Sequence, residues 1–152
     1  MYIARPWCGS RFTQQAARFL LRSKITHPRP QETLSQPEQV ASGVNYWTHG
    51  TLRRLPKGHE IWLLTQDEST GLLRPQGFFA VTFDYYRGTW MGKINGSGRK
   101  QVRIVAVVAP PTSQDFFRYF QEIGRLHGYQ FEPVRRIPPE CKNVASVQAF
   151  IP

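Results

Sequence analysis

Gln101–Ala109 reads QVRIVAVVA. Val102, Ile104, Val105, Val107 and Val108 are β-branched, and such side chains pack well on a pleated surface while losing rotamer freedom in a helix. Pro110 and Pro111 follow at once and close the run. The stretch predicts a strand, the strongest in the chain. Just before it, Asn95-Gly96-Ser97-Gly98-Arg99-Lys100 has hairpin chemistry, because Asn and Gly tolerate the positive φ angles of tight turns. That predicts a hairpin joining it to Thr89–Ile94 (TWMGKI).

Reading upstream, His59–Gln66 (HEIWLLTQ) is an apolar run of buried-strand length between Pro56-Lys57-Gly58 and the polar turn Asp67–Gly71. Val44–Leu52 (VNYWTHGTL) is another aromatic and β-branched run. Leu72–Phe83 is strand-like but interrupted by Pro75 and Gly77, as at an edge or bulge, and Asp84–Gly88 is a turn. Downstream, Phe116, Phe120, Ile123 and His127 repeat at helical spacing within Thr112–His127. Thr112 and Asp115 suggest a capping box and Gly128 a stop, so Phe116, Phe117 and Phe120 are expected to pack on the sheet. After Pro138-Pro139, Asn143–Ile151 (NVASVQAFI) alternates as a final strand.

Short strands with frequent turns, one late helix and no strand–helix alternation make the fold mainly β. The expected form is an antiparallel β-sandwich or barrel with one late α-helix and a basic N-terminal arm. With 152 residues, 40% of them hydrophobic, the chain can bury one sizeable core.

The arm stands apart in composition. Residues 1–31 carry six basic side chains and no acid, whereas residues 32–152 carry fourteen basic against ten acidic. Most of the formal charge of +10 is thus concentrated at the start, favouring anionic partners. Arg11–Lys24 has helical periodicity, with Phe12, Ala16, Phe19 and Leu20 on one face and Arg11, Arg18 and Arg22 on the other. His27–Ser42, with Pro28, Pro30 and Pro37, reads as an extended linker. The expected division is therefore 1–42, basic amphipathic arm and Pro-rich linker, and 43–152, β-sandwich domain. The Arg-rich, acid-free start has mitochondrial-leader composition, and equally that of an arm lying on anionic lipid or threading into RNA. An uncleaved arm held by a partner is the expected case, in the mitochondrion or otherwise the cytoplasm. No apolar run is long enough for a transmembrane helix, and Cys8 and Cys141, far apart in the chain, suit free thiols in a reducing compartment.

Residue types that carry chemistry are present without the spacing that chemistry needs. His27, His49, His59 and His127 have no Cys, Asp or Glu at metal-ligand spacing. Asp67 and Glu68 adjoin on a strand-turn and point apart, and neither cysteine has a neighbouring His. No catalytic residue, metal or cofactor is expected. Gly96–Lys100 could form a small anion nest charged by Arg99 and Lys100, although it lacks a phosphate-loop pattern. Tyr85-Tyr86-Arg87, in a turn, is the best stacking candidate for nucleic acid.

A further set of residues is Gly50-Thr51, Ile61–Leu64, Pro75-Gln76, Gly88-Thr89-Trp90, Ile104–Val107, Ile137-Pro138 and Val144–Val147. Over residues 43–151 it resembles an immunoglobulin-like β-rich module of bacterial multidomain proteins, often found beside membrane segments or other domains. The resemblance implies a fold through Trp anchors and turn glycines, together with a small-ligand-binding or sensing role. The basic arm departs from it.

The expected function is a non-catalytic accessory subunit packing among the other protein subunits of a larger complex. Arg5, Arg11, Phe12, Arg18, Phe19 and Arg22 would make the partner contacts. The alternatives are nucleic-acid binding through Tyr85, Tyr86, Arg87, Arg99 and Lys100 with the arm, and the ligand-binding module that the resemblance implies.

Overall fold

The computed structural model describes residues 23–35, 37–40, 43–76, 81–96, 98–128 and 132–152. The arm residues Arg5, Arg11, Phe12, Arg18, Phe19 and Arg22 lie outside these. So does the expected basic helix, except Ser23 and Lys24, which begin a strand.

Two five-stranded sheets stack face to face. The first holds β1 (Ser23–His27), β4 (Gly43–Leu52), β8 (Thr89–Gly96) and β7 (Thr82–Asp84) in that order, with β3 (Pro37–Val40) also paired to β4. In the second the order is β2 (Glu32–Thr33), β10 (Lys142–Ile151), β9 (Lys100–Ala109), β5 (Glu60–Asp67) and β6 (Leu73–Pro75). Every pairing is antiparallel except β2 with β10. The molecule is a β-sandwich with one late helix, α1 (Gln114–Leu126).

The apolar runs of β5 and β9 are continuous because both faces of these strands are covered. Ile61, Leu63, Val102, Ile104, Ala106 and Val108 point into the core between the sheets, where Leu52, Trp90, Ile94 and Ile151 meet them. Trp62, Leu64, Val105, Val107 and Ala109 point the other way, beneath Phe117 of α1 and Cys141. Trp62 and Phe117 stack with ring centroids 5.1 Å apart and planes 11° from parallel. Phe116, Phe117 and Phe120 form an edge-to-face cluster, as the helical spacing anticipates. At full burial each such side chain contributes roughly 1.5–3 kcal/mol. The result is three layers: sheet, sheet, helix.

The start of α1 differs from the capping box its sequence suggests. A 3₁₀ turn (Pro111–Ser113) precedes it, and no side chain caps its first amides. The Gln114 side chain instead donates from Nε2 to the Gly58 carbonyl at 2.6 Å, fixing the helix to the β4–β5 connection. Beyond its last turn, Gly128 takes φ +60°, as a helix stop requires.

Three other expectations give way. Residues 27–35 and 37–40 are not a linker: β1, β2 and β3 lie in the sheets, and Ile25 and Leu34 join the inter-sheet core. A domain boundary at 42/43 is therefore not what the described residues show. The prolines that suggested a linker sit where a missing amide costs little. Pro28 follows the end of β1 and Pro37 is the first residue of β3. Next, Asn95–Lys100 does not close a hairpin. Gly98 has the expected turn geometry, φ +73°, but β8 and β9 belong to different sheets, so the segment crosses between them. Finally, Leu72–Phe83 holds two short strands in opposite sheets, β6 and β7, rather than one interrupted strand, and each lies at a sheet edge, as the interruption suggested.

β4 and β8 approach closely at Gly50. A Cβ there would lie 2.2 Å from the Trp90 ring and 2.6 Å from the Lys24 carbonyl, so only glycine fits. The Trp90 indole N–H in turn donates to Ser23 Oγ at 3.0 Å, and the Ser23 hydroxyl donates to the Thr51 carbonyl. These bonds fasten β1 to the sheet.

Candidate binding surface at one end of the sandwich

The register of the first sheet gathers distant parts of the chain. Ser23 pairs with Leu52, Thr51 with Thr89, and Thr89 with Asp84. Consequently the first described residue of the chain, the Arg53-Arg54 segment after β4 and the turn Asp84–Gly88 share one end of the molecule.

Asp84 builds that turn. Its Oδ1 accepts from the Tyr86 amide at 2.9 Å and the Arg87 amide at 3.1 Å, while its carbonyl accepts from the Gly88 amide at 2.8 Å. Gly88 adopts φ +64°, and a Cβ there would sit 3.0 Å from the Leu52 carbonyl. The Leu52 amide donates to the Gly88 carbonyl at 2.9 Å, holding Arg53-Arg54 against the turn. Phe83 packs on the inter-sheet core, and Tyr85 sits edge-on to it at 4.7 Å. Beyond this anchor the side chains face solvent: Tyr85 is 69% exposed and Tyr86 fully so. Arg53 and Arg54 are exposed and have no carboxylate partner among the described residues, whereas Arg87 lies 3.9 Å from Asp84 with 80% of its side chain exposed. The turn and exposure expected for Tyr85-Tyr86-Arg87 are present.

Arg99 and Lys100 do not join them. They are exposed at the far end of β8 and the start of β9. The eight residues of β8 separate the two places by more than about 20 Å at roughly 3.3 Å per residue. Ser97 lies outside the described residues. Near Lys100, Arg103 donates to Glu68 at 3.1 Å, and so does Gln148, also at 3.1 Å. The Gln148 amide, aided by Arg103, holds the Glu68 carboxyl below its usual range. Asp67 falls to about 2 because the Ser69 hydroxyl and the Thr70 and Ser69 amides all donate to it. These carboxylates are turn and sheet fasteners.

Two more clusters emerge from the fold. On the outer face of the first sheet, Lys93 lies over the Trp47 ring, 4.3 Å from its centroid, and pairs with Glu38. His49 sits beside Trp47 and meets His27 edge-on at 5.9 Å. Burial, reinforced by His27, holds His49 below the usual imidazole range. His27 Nε2 is buried without a hydrogen-bond partner among the described residues, while its Nδ1 lies 3.8 Å from Glu32. The alternation of β4 places Trp47 and His49 on one face and was the available signal; the partner His27 lay in the segment read as linker. On the outer face of the second sheet an open cleft of about 370 Å³ runs beside Leu64, Leu73, Val105, Ile137 and Cys141. Burial pushes the Cys141 thiol up; a hydrogen bond with Ser113 opposes this and the Glu140 charge adds to it.

Among the described residues no three His, Cys, Asp or Glu side chains group as metal ligands, and no helix is long and apolar enough to cross a membrane. No protein-family profile matches this chain, and no curated protein matches it.

Proposed function

We propose that this protein is a non-catalytic accessory subunit that docks on an anionic surface of a larger assembly through one end of its sandwich. The observation that carries this is convergence. Ser23, which follows the basic arm in sequence, lies beside Arg53, Arg54 and the Tyr85-Tyr86-Arg87 turn. In this reading arm and turn act as a single positive pole, Arg5, Arg11, Arg18 and Arg22 adding charge to it and Phe12 and Phe19 burying against the partner. Exposed guanidiniums beside a turn whose backbone is already hydrogen-bonded suit such docking, since little loop order has to be created on contact. We take the scaffold to be of the immunoglobulin-like kind, a reading supported by the two stacked sheets and the buried Trp62 and Trp90.

The test is sedimentation from the native source. The full chain should migrate with a larger particle, while a chain lacking residues 1–22 and the full-length R53E/R54E variant should migrate free. A full chain that runs at its own mass overturns the proposal.

A further inference from the structure

We infer that the partner engaged by this end is single-stranded nucleic acid, its bases stacking on Tyr86 and Tyr85 and its phosphates meeting Arg53, Arg54 and Arg87. This rests on the docking proposed above and names the chemistry of the partner. The argument starts from the cost of the observed surface. Two adjacent tyrosines in water leave apolar area unburied at about 25 cal/mol per Å², which the fold gains nothing by doing.

What surrounds them selects the ligand. A protein hot spot ringed by apolar contacts would exclude water from these rings. Here the flanking residues are Asp84, Arg87, Gly88, Arg53 and Arg54, while Leu52 and Leu55 are buried. Rings offered with cations and without an aliphatic rim match stacking platforms beside an electrostatic track. The rings are also held in place. Asp84 fixes the Tyr86 and Arg87 amides and Phe83 seats Tyr85, so a base meets a prepared surface.

Charge points the same way. The one carboxylate in the turn, Asp84, accepts backbone amides on Oδ1 and lies 3.9 Å from Arg87 through Oδ2, while Arg53 and Arg54 have no carboxylate partner among the described residues, so the surface keeps a positive excess. Duplexes hide their base faces, so the tyrosines favour unpaired strands. Arg99 and Lys100, at the opposite end, are not part of this surface.

The experiment uses the full chain and fluorescence anisotropy with labelled oligo(U) and oligo(dT) of about 15 nucleotides, the upper range of single-domain sites. A duplex of the same length and polyglutamate serve as the other arms. Both single strands should bind more tightly than duplex or polyglutamate; a difference between oligo(U) and oligo(dT) separates RNA from DNA. Tyr86→Ala should weaken binding about tenfold and Tyr86→Phe should restore it, as stacking requires. Because Tyr86 is fully exposed, its removal leaves the fold intact. R53Q/R54Q should lower the slope of log affinity against log salt by about 1.4, at roughly 0.7 per phosphate. Equal binding of polyglutamate, or an unchanged affinity in Tyr86→Ala, overturns the inference in favour of an acidic protein partner. If the chain still sediments with a larger particle through Arg53 and Arg54 but binds no oligonucleotide, the inference falls and the docking proposal stands.

Discussion

His49 and His27 face each other across the β1–β4 ladder, with Glu32 near His27 and Lys93 and Glu38 close to Trp47. A proton on His49 would sit in a partly buried site beside the His27 ring, which burial and His27 both disfavour. The sign follows from the direction of the shift. His49 has a lowered pKa in the fold, so as pH falls through 6.5 the unfolded chain takes up the proton first. Stability contributed by neutral His49 is complete above that pH and declines down to the lowered folded value. Urea midpoints measured from pH 7.5 to 5 should therefore fall in the wild type and flatten in His49→Gln. An identical pH profile in the two proteins would rule out this origin. Little of this pair was legible in the sequence. The alternation in VNYWTHGTL put Trp47 and His49 together, but the partner His27 arrives through pairing with a strand that local pattern did not mark.

At the scale of elements, legibility tracked how local the determinants are. β5, β9, β10 and α1 carry their own periodicity, and all four appear close to the expected bounds. β1, β2 and β3 are short and Pro-rich, and they exist because β4 and β10 offer them ladders. No window within residues 23–40 contains that information. Asn95–Lys100 was misread for a related reason: positive-φ chemistry specifies a reversal, not whether the next strand pairs in the same sheet. The Tyr85-Tyr86-Arg87 turn was legible, whereas its juxtaposition with Arg53-Arg54 was not, since that depends on β4–β8 register. Among the elements, α1 makes the most direct stability prediction. Phe117 is fully buried against Trp62, so Phe117→Ala should cost about 3–5 kcal/mol in urea denaturation while far-UV circular dichroism stays β-rich. A loss below about 1 kcal/mol would mean that the helix layer contributes little to the core.

For the molecule as a whole, the two sheets take in residues on the N-terminal side of 43, beginning among the described residues at Ser23. Truncation tests this. Removing residues 1–22 should leave the melting temperature nearly unchanged. Removal through residue 30 deletes β1, withdraws Ile25 from the core and strips Ser23 from Trp90. That second cut should destabilise the protein by about 2 kcal/mol or more, from the Ile25 cavity alone. Equal melting of the two truncated chains would return the border to the linker.

The path of the chain between β1 and β3 has a mechanical side. It leaves the first sheet, lays β2 along β10, and returns to the same edge of β4 that β1 occupies. The two halves of the sandwich are thereby laced together by the polypeptide itself. A pull applied at Ser23 would be taken first by the β1–β4 ladder, and through the Trp90–Ser23 bond by the packed interior. Load entering at Ser23 is thus borne without peeling the sheets apart.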